Sequence, residues 1–295
     1  MFSTLLCSRP VTAGGIRARL LGADDWSTEQ MQASAAAFGQ ETGFVLEPQH
    51  GGDIRLRYFV PRHEMEMCVH ATVAAVVVLG RRGALARETV SVETPLGQRA
   101  VRWDGRVGSA VVEQSRPRFD APVEEVDDVL DVLALGPEHL DLAVGPVQSV
   151  STARAKLMIP PVDERSLDAV VLDAAAAWDV CDRLGVTGLY PFTVVAEGAD
   201  AAARQFPRRA GYDEDPATGV AACALGSYLT TYHPRGGVAV GWQRHQIAQG
   251  RAMGRPSVIH AEALLEHDGR VTATRVGGSM RLERELSELT PPPAG

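Results

Sequence analysis

Two stretches decide how this chain reads: ATVAAVVVL at 71–79 and ATGVAACALGSYL at 217–229. Both are apolar nearly all round and rich in small residues. A helix without a polar face has to be enclosed on every side. Each stretch is entered from polar sequence, HEMEMCVH (63–70) in the first case and YDEDP (212–216) in the second. The expectation is two halves, each wrapping short strands around one buried helix.

Working outward, short strand patterns fall at 17–21, 43–46, 54–59, 89–93, 98–103 and 107–113, with Gly and Pro between several of them. Between the first two, Ser27 opens STEQ, a capping-box pattern ahead of MQASAAAF, and predicts a helix there. The Pro- and charge-rich SRPRFDAPVEEVDD (115–128) is the natural junction. It divides the chain into an N-terminal half, 1–118, and a C-terminal half, 119–290, with a last strand free to return to the first half.

The 295 residues suffice for a sizeable core, and 45% apolar with 22% charged residues is the composition of a globular protein. Net charge is −8 with no Lys/Arg-rich run, which argues against a nucleic-acid partner. Lys156 is the only lysine, so Schiff-base chemistry has one position open to it. Cys7, Cys68, Cys181 and Cys223 are scattered without a Cys-x-x-Cys pair, a pattern of reduced thiols in a cytosol. The longest apolar run, around 73–79, falls far short of the roughly 18 residues a membrane span needs, and no basic leader precedes it. A cytoplasmic protein with no membrane partner is expected.

The segment 63–70 offers His63, Glu64, Glu66, Cys68 and His70 as metal ligands. Met67 stands where a helical His-Glu-x-x-His site needs its second histidine, so no metal is expected. No phosphate-binding glycine loop and no G-x-S-x-G is present, which leaves nucleotide cofactors and serine hydrolysis unsupported. A proton shuttle fits better. If the halves share a pseudo-twofold axis, the N-termini of the two buried helices can meet, and their unpaired N–H groups make a carboxylate site. Glu64 and Asp215, each just ahead of a helix, would flank it.

FVPRHEMEMCVHATVAA (59–75) resembles F-T-P-x-x-E-x-x-x-x-G-H-x-T-x-G-A of the PhzF-like isomerases, within the diaminopimelate epimerase superfamily. GYDEDPATGVAACALGSYL (211–229) is similar to their second signature, G-x-x-E-D-P-A-T-G-S-A. SRPVTAGGIRARLL, STEQMQ…ETGFVL, VQSVSTARAKLMIP and AQGRAMGRPS resemble further blocks in the same order, from about residue 8 to 280. The resemblance implies an α+β fold of two pseudo-symmetric domains, each of antiparallel strands around a central helix. It also implies cofactor-free proton transfer at carbon and a homodimer.

Carried over by position, Glu64 matches the family's general base, and His70 and Asp215 match polar groups around the substrate. Gly14, Gly15, Glu41, Thr42, Ala71, Thr72, Thr218, Gly219 and Val220 fall at substrate-binding positions. Backbone N–H groups near 70–72 and 219 would hold the carboxylate. The superfamily's two-cysteine epimerases have their thiols where this chain has Val69 and Val220, so two-cysteine racemisation is not expected. Cys68, offset by one from the first of these positions, reads as a small buried residue.

The reaction this implies is a proton shift along a diene or enamine carboxylic acid in natural-product biosynthesis. The loss of polar groups at 69 and 220 suits a more apolar substrate than a dihydroxylated ring acid, such as a precursor of a 4-alkylproline antibiotic unit. An amino-acid epimerase, racemase or dehydratase, and a ligand-binding relative without chemistry, are the alternatives.

Overall fold

The computed structural model describes residues 5–8, 17–39, 41–161, 163–194, 199–232, 240–279 and 284–285. The chain divides into two units, Met1–Glu113 with Gly277–Gly295, and Gln114–Val276. The junction thus comes a few residues before the 118/119 boundary expected from composition. The reason is that RFDAP is itself a strand, and its partner lies in the second unit.

In the first unit, β1 (Leu5–Ser8) runs antiparallel to β2 (Arg17–Gly22). Helix α1 (Thr28–Phe38) follows, started by the expected box: Gln30 N–H donates to Ser27 Oγ (3.3 Å) and Ser27 N–H to Gln30 Oε1 (2.9 Å). Gly39, at φ +71, closes it in the left-handed conformation that glycine adopts without strain. β3 (Thr42–Leu46) lies parallel to β2 and antiparallel to β4 (Ile54–Phe59). β5 (Glu64–Met65) is a two-residue strand on β4 that leads into α2 (Val69–Arg81). β6 (Thr89–Thr94), β7 (Gly97–Asp104) and β8 (Ser109–Gln114) form an antiparallel meander, with β6 parallel to β4.

Every side chain from Ala71 to Leu79 is buried, and α2 packs on β2, β3 and β7 of its own unit. Burying a Val or Leu side chain stabilises by about 1.5–3 kcal/mol, so Val73, Val76, Val77, Val78 and Leu79 anchor this unit. Gly80 lets the helix end meet the Trp103 ring, where a Cβ would lie 2.5 Å from it.

In the second unit, β9 (Arg118–Pro122) pairs antiparallel with β10 (Gln148–Ser151), separated in sequence by α3 (Asp127–Asp131). β11 (Ala155–Ile159) continues the sheet antiparallel to β10. α4 (Glu164–Ala169) and α5 (Ala174–Leu184) then lead to β12 (Gly188–Val194), parallel to β11. The sequence pattern assigns no helix to these positions. They form because Asp163 and Asp173 cap them and because Val129, Leu130, Val180 and Cys181 close over Leu157, Ile159 and Leu189.

β13 (Ala201–Ala203) and β14 (Phe206–Pro207) both pair with β12. The second apolar helix, α6 (Gly219–Tyr232), comes next, and all of Val220–Thr230 is buried. β15 (Gly241–Gln249), β16 (Ser257–Leu265) and β17 (Val271–Ser279) follow, and α6 packs on β10, β11, β15 and β16. β18 (Arg284–Glu285) pairs with β1. Each apolar helix is thus enclosed by strands of its own unit.

Candidate active site

Because α2 packs on β3, the start of the helix lies near the residue that leads into that strand. Cys68 is the N-cap of α2, and Glu41 immediately precedes β3. His70 Nε2 stands 2.9 Å from Glu41 Oε2. Cys68 Sγ lies 3.5 Å from the same oxygen and 3.6 Å from His70 Nε2. Glu41 and His70 keep 13% and 22% of their side-chain surface exposed, while Cys68 is buried. Donor atoms of these three residues all lie within 4.8 Å of one another.

Burial alone would lower the His70 pKa. Cys68 and Glu41, through their charges and hydrogen bonds, outweigh it and hold the imidazole well above its usual value. Burial first, and then the neighbouring Glu41, push the Cys68 thiol up to about 11. The cluster thus sets an imidazole held toward its protonated form beside a thiol that keeps its proton. Cys68 is buried as expected, but its sulfur has polar neighbours.

Glu64, the expected base, is not in this cluster. On β5 it sits opposite Phe59 of β4, and Arg57, two residues along β4, reaches it diagonally. Arg57 Nε and Nη2 donate to Glu64 Oε1 and Oε2, both at 2.7 Å. Arg57 Nη1 also donates to Thr28 Oγ1 on α1 (3.1 Å), and the Glu64 side chain is 34% exposed. The two-point guanidinium contact occupies both of its oxygens.

At the second helix start, Asp215 is 7% exposed and its N–H donates to Gln205 C=O at 2.9 Å. Its carboxylate accepts from Thr218 Oγ1 and from Ala217 N–H. Gln249, at the end of β15, ties the turn together. Its Nε2 donates to Asp215 C=O (2.7 Å), and its Oε1 accepts from Thr218 N–H (3.3 Å) and from the buried Tyr190 hydroxyl (2.9 Å). The first helical bond of α6 runs from Ala222 N–H to Thr218 C=O, so the N–H groups of Gly219, Val220 and Ala221 precede it. The neighbouring Glu214 is taken by Arg204, whose Nε and Nη2 donate to it at 3.0 and 2.8 Å.

Of the other expected substrate positions, Gly14 and Gly15 lie outside the described residues. Thr42, Ala71, Thr72 and Val220 are buried; Thr218 and Gly219 are half-buried. Thr72 is not an anion donor, which corrects one expectation: its N–H bonds Cys68 C=O (3.0 Å) and its hydroxyl meets Tyr58 OH (2.7 Å). Sequence reading missed Arg57, Tyr58, Tyr190 and Gln249. Gln249 had a signal, since it stands in AQGRAMGRPS beside Gly250. That glycine adopts φ +81, and a Cβ there would lie 2.6 Å from Pro216 C=O.

The profile of the phenazine biosynthesis-like family, PhzC-PhzF, matches residues 12–284. The chain belongs to that family. Among PhzC-PhzF relatives, the protein named uncharacterized isomerase YddE of Escherichia coli O157:H7 is 32% identical over 88% of both chains. The trans-2,3-dihydro-3-hydroxyanthranilate isomerase of Pseudomonas aeruginosa is 29% identical over 87% of both. A crystal structure of a PhzF-family phenazine biosynthesis protein from Bacillus anthracis superposes with a TM-score of 0.85. It covers 98% of this chain and 99% of its own at 22% identity. The fold is the diaminopimelate epimerase-like α+β class expected from the sequence. Among the described residues no helix is long and apolar enough to cross a membrane.

Proposed function

We propose that this chain is a cofactor-independent isomerase that moves a proton along an unsaturated carboxylic acid, with Glu41 rather than Glu64 as its base. The observation that carries this reading is the Glu41–His70 pair at the start of α2, 2.9 Å apart and only partly open to solvent. The Glu41 carboxylate takes a proton from a C–H made acidic by conjugation. The bonding electrons shift along the π system, and the Glu41 carboxyl returns the proton to a second carbon. The cationic His70 offsets charge that develops beside it. Taken by itself, the second unit's helix start also offers N–H groups, those of Gly219, Val220 and Ala221, of a kind that suits an anion.

Val69 and Val220 open the two helices with buried apolar side chains. They favour a diene or enamine acid less hydroxylated than a dihydroxy ring acid, a class that includes 4-alkylproline precursors of antibiotics. We place the protein in the cytosol, acting as a homodimer on a small molecule.

The test uses trans-2,3-dihydro-3-hydroxyanthranilate and a conjugated diene carboxylate as substrates in D₂O, followed by proton NMR. Isomerisation with deuterium at the new C–H, incompletely if one carboxyl shuttles the same proton, supports the reading. Label at an inverted stereocentre would show an epimerase, and no turnover of any unsaturated acid tried would show a binding protein. Either result overturns it.

A further inference from the structure

The Cys68 thiol takes no part in the proton transfer above, yet the fold holds it against the pair that does. At the start of α2, Cys68 C=O accepts from Thr72 N–H (3.0 Å) and from Thr72 Oγ1 (2.8 Å). The Thr72 hydroxyl in turn meets the buried Tyr58 OH at 2.7 Å. Pinned by its main chain, the residue brings its sulfur to one place. The sulfur lies 3.6 Å from each ring nitrogen of His70, so it is in line with neither ring N–H bond. Its acceptor is Glu41 Oε2, at 3.5 Å. The same oxygen stands 2.9 Å from His70 Nε2, so two donors converge on it. Burial first, then Glu41, pushes the thiol up to about 11, so it keeps its proton and donates at neutral pH.

We propose that Cys68 is a positioning residue for the base: its S–H bond to Oε2 turns the Glu41 carboxyl toward His70 and fixes the direction in which the base meets substrate. The proposal rests on Glu41 being that base. A thiol suits the task because it is a weak donor. A guanidinium or ammonium in its place would form a charge-assisted bond, about twice as strong as a neutral one, and would compete with the proton that Glu41 must accept. Arg57 supplies the contrast within the same unit, since it takes both oxygens of Glu64. Cysteine orients a carboxyl without disabling it.

Infrared absorption reads the bond with no substrate present. The S–H stretch falls in a window clear of other protein bands and moves to lower frequency as its acceptor strengthens. Subtracting the spectrum of Cys68→Val isolates the Cys68 band, because valine nearly matches cysteine in volume and cannot donate. Glu41→Gln should move that band to higher frequency, since an amide oxygen accepts more weakly than a carboxylate. The same shift shows in wild type minus Glu41→Gln, which needs no substitution at residue 68. Steady-state kinetics, on whichever unsaturated acid the wild type isomerises, then read the positioning. Cys68→Val and Cys68→Ala, both checked for folding by circular dichroism, should lower kcat about tenfold and leave KM within about twofold. A band that stays in place in Glu41→Gln, or a Cys68→Val enzyme as fast as wild type, overturns the proposal while an impaired Glu41→Gln leaves the base reading intact. A wild type that isomerises neither acid, or an unimpaired Glu41→Gln, sinks the base reading, and the proposal falls with it.

Discussion

The two helix starts meet the same requirement with different chemistry. Both α2 and α6 are apolar cylinders inside their own strands, and both have their first turn steadied by a buried tyrosine hydroxyl. In the first unit Tyr58 bonds Thr72 at 2.7 Å, and in the second Tyr190 bonds Gln249 at 2.9 Å. Beyond that they diverge. The start of α2 gathers a carboxylate, an imidazole and a thiol, three groups that can exchange protons. The start of α6 surrounds one carboxylate with hydroxyl, amide and backbone donors. What the units share is scaffolding. The differing part is where mobile protons can reside, and that points to the first unit for the base.

The sharpest way to break this comparison is to neutralise one carboxyl at a time. Glu41→Gln keeps the size of the side chain but cannot accept a proton, and should slow isomerisation by about 10²–10⁴-fold. Glu64→Gln should stay within a few-fold of wild type, because Glu64 is engaged by Arg57. Steady-state rates on the same substrate decide it. A large loss in Glu64→Gln with Glu41→Gln unimpaired would return the base to residue 64.

The scaffolding was legible because it rests on local pattern. Strand β4 occupies 54–59 as alternation of Ile, Leu and Tyr with Arg predicts, and the Ser27–Gln30 box forms both of its bonds. The all-apolar runs at 71–79 and 217–229 declare helices that must be enclosed. The Glu41–His70 pair was not legible, since its members are 29 positions apart in sequence and meet only when α2 packs on β3. The same holds for what engages Glu64. Its place just ahead of the helix was visible, but Arg57 reaching across from β4 was not.

The second helix start is the more breakable scaffold, because one side chain serves three groups. Gln249→Leu fills the space but strands the Tyr190 hydroxyl, the Thr218 N–H and the Asp215 C=O, each in a buried or half-buried setting. An unsatisfied buried group costs about 1–3 kcal/mol, and partial relaxation should bring the total to about 3 kcal/mol. Urea unfolding measures it. Tyr58→Phe and Tyr190→Phe should each cost only about 1 kcal/mol, since Thr72 keeps its bond to Cys68 C=O and Gln249 keeps Thr218 N–H. Losses in these variants matching Gln249→Leu would mean that the tyrosines, not the amide, hold the helix starts.

The smallest expected effects separate the outer helices of the two units by their response to pH. α1 is capped by an uncharged serine, so Ser27→Ala should cost about 0.5–1 kcal/mol at pH 7, of which only the part that runs through the Ser27 hydroxyl's bond to the Glu29 carboxyl is lost at about pH 3. α4 is capped by Asp163, whose carboxyl is held below the usual aspartate value first by the backbone N–H of Ser166 and then by that residue's hydroxyl. A carboxyl whose folded pKa is depressed contributes its full stabilisation above the unfolded value, near 3.9, and loses it as pH falls through the folded value. Asp163→Ala should therefore destabilise at pH 7, and the difference from wild type should shrink steadily on acidification below about pH 4. Urea midpoints of both variants at two pH values check this. An Asp163→Ala deficit that persists unchanged in acid would mean that the cap acts through its shape alone, and the charged N-cap of the second unit would then be equivalent to the neutral one of the first.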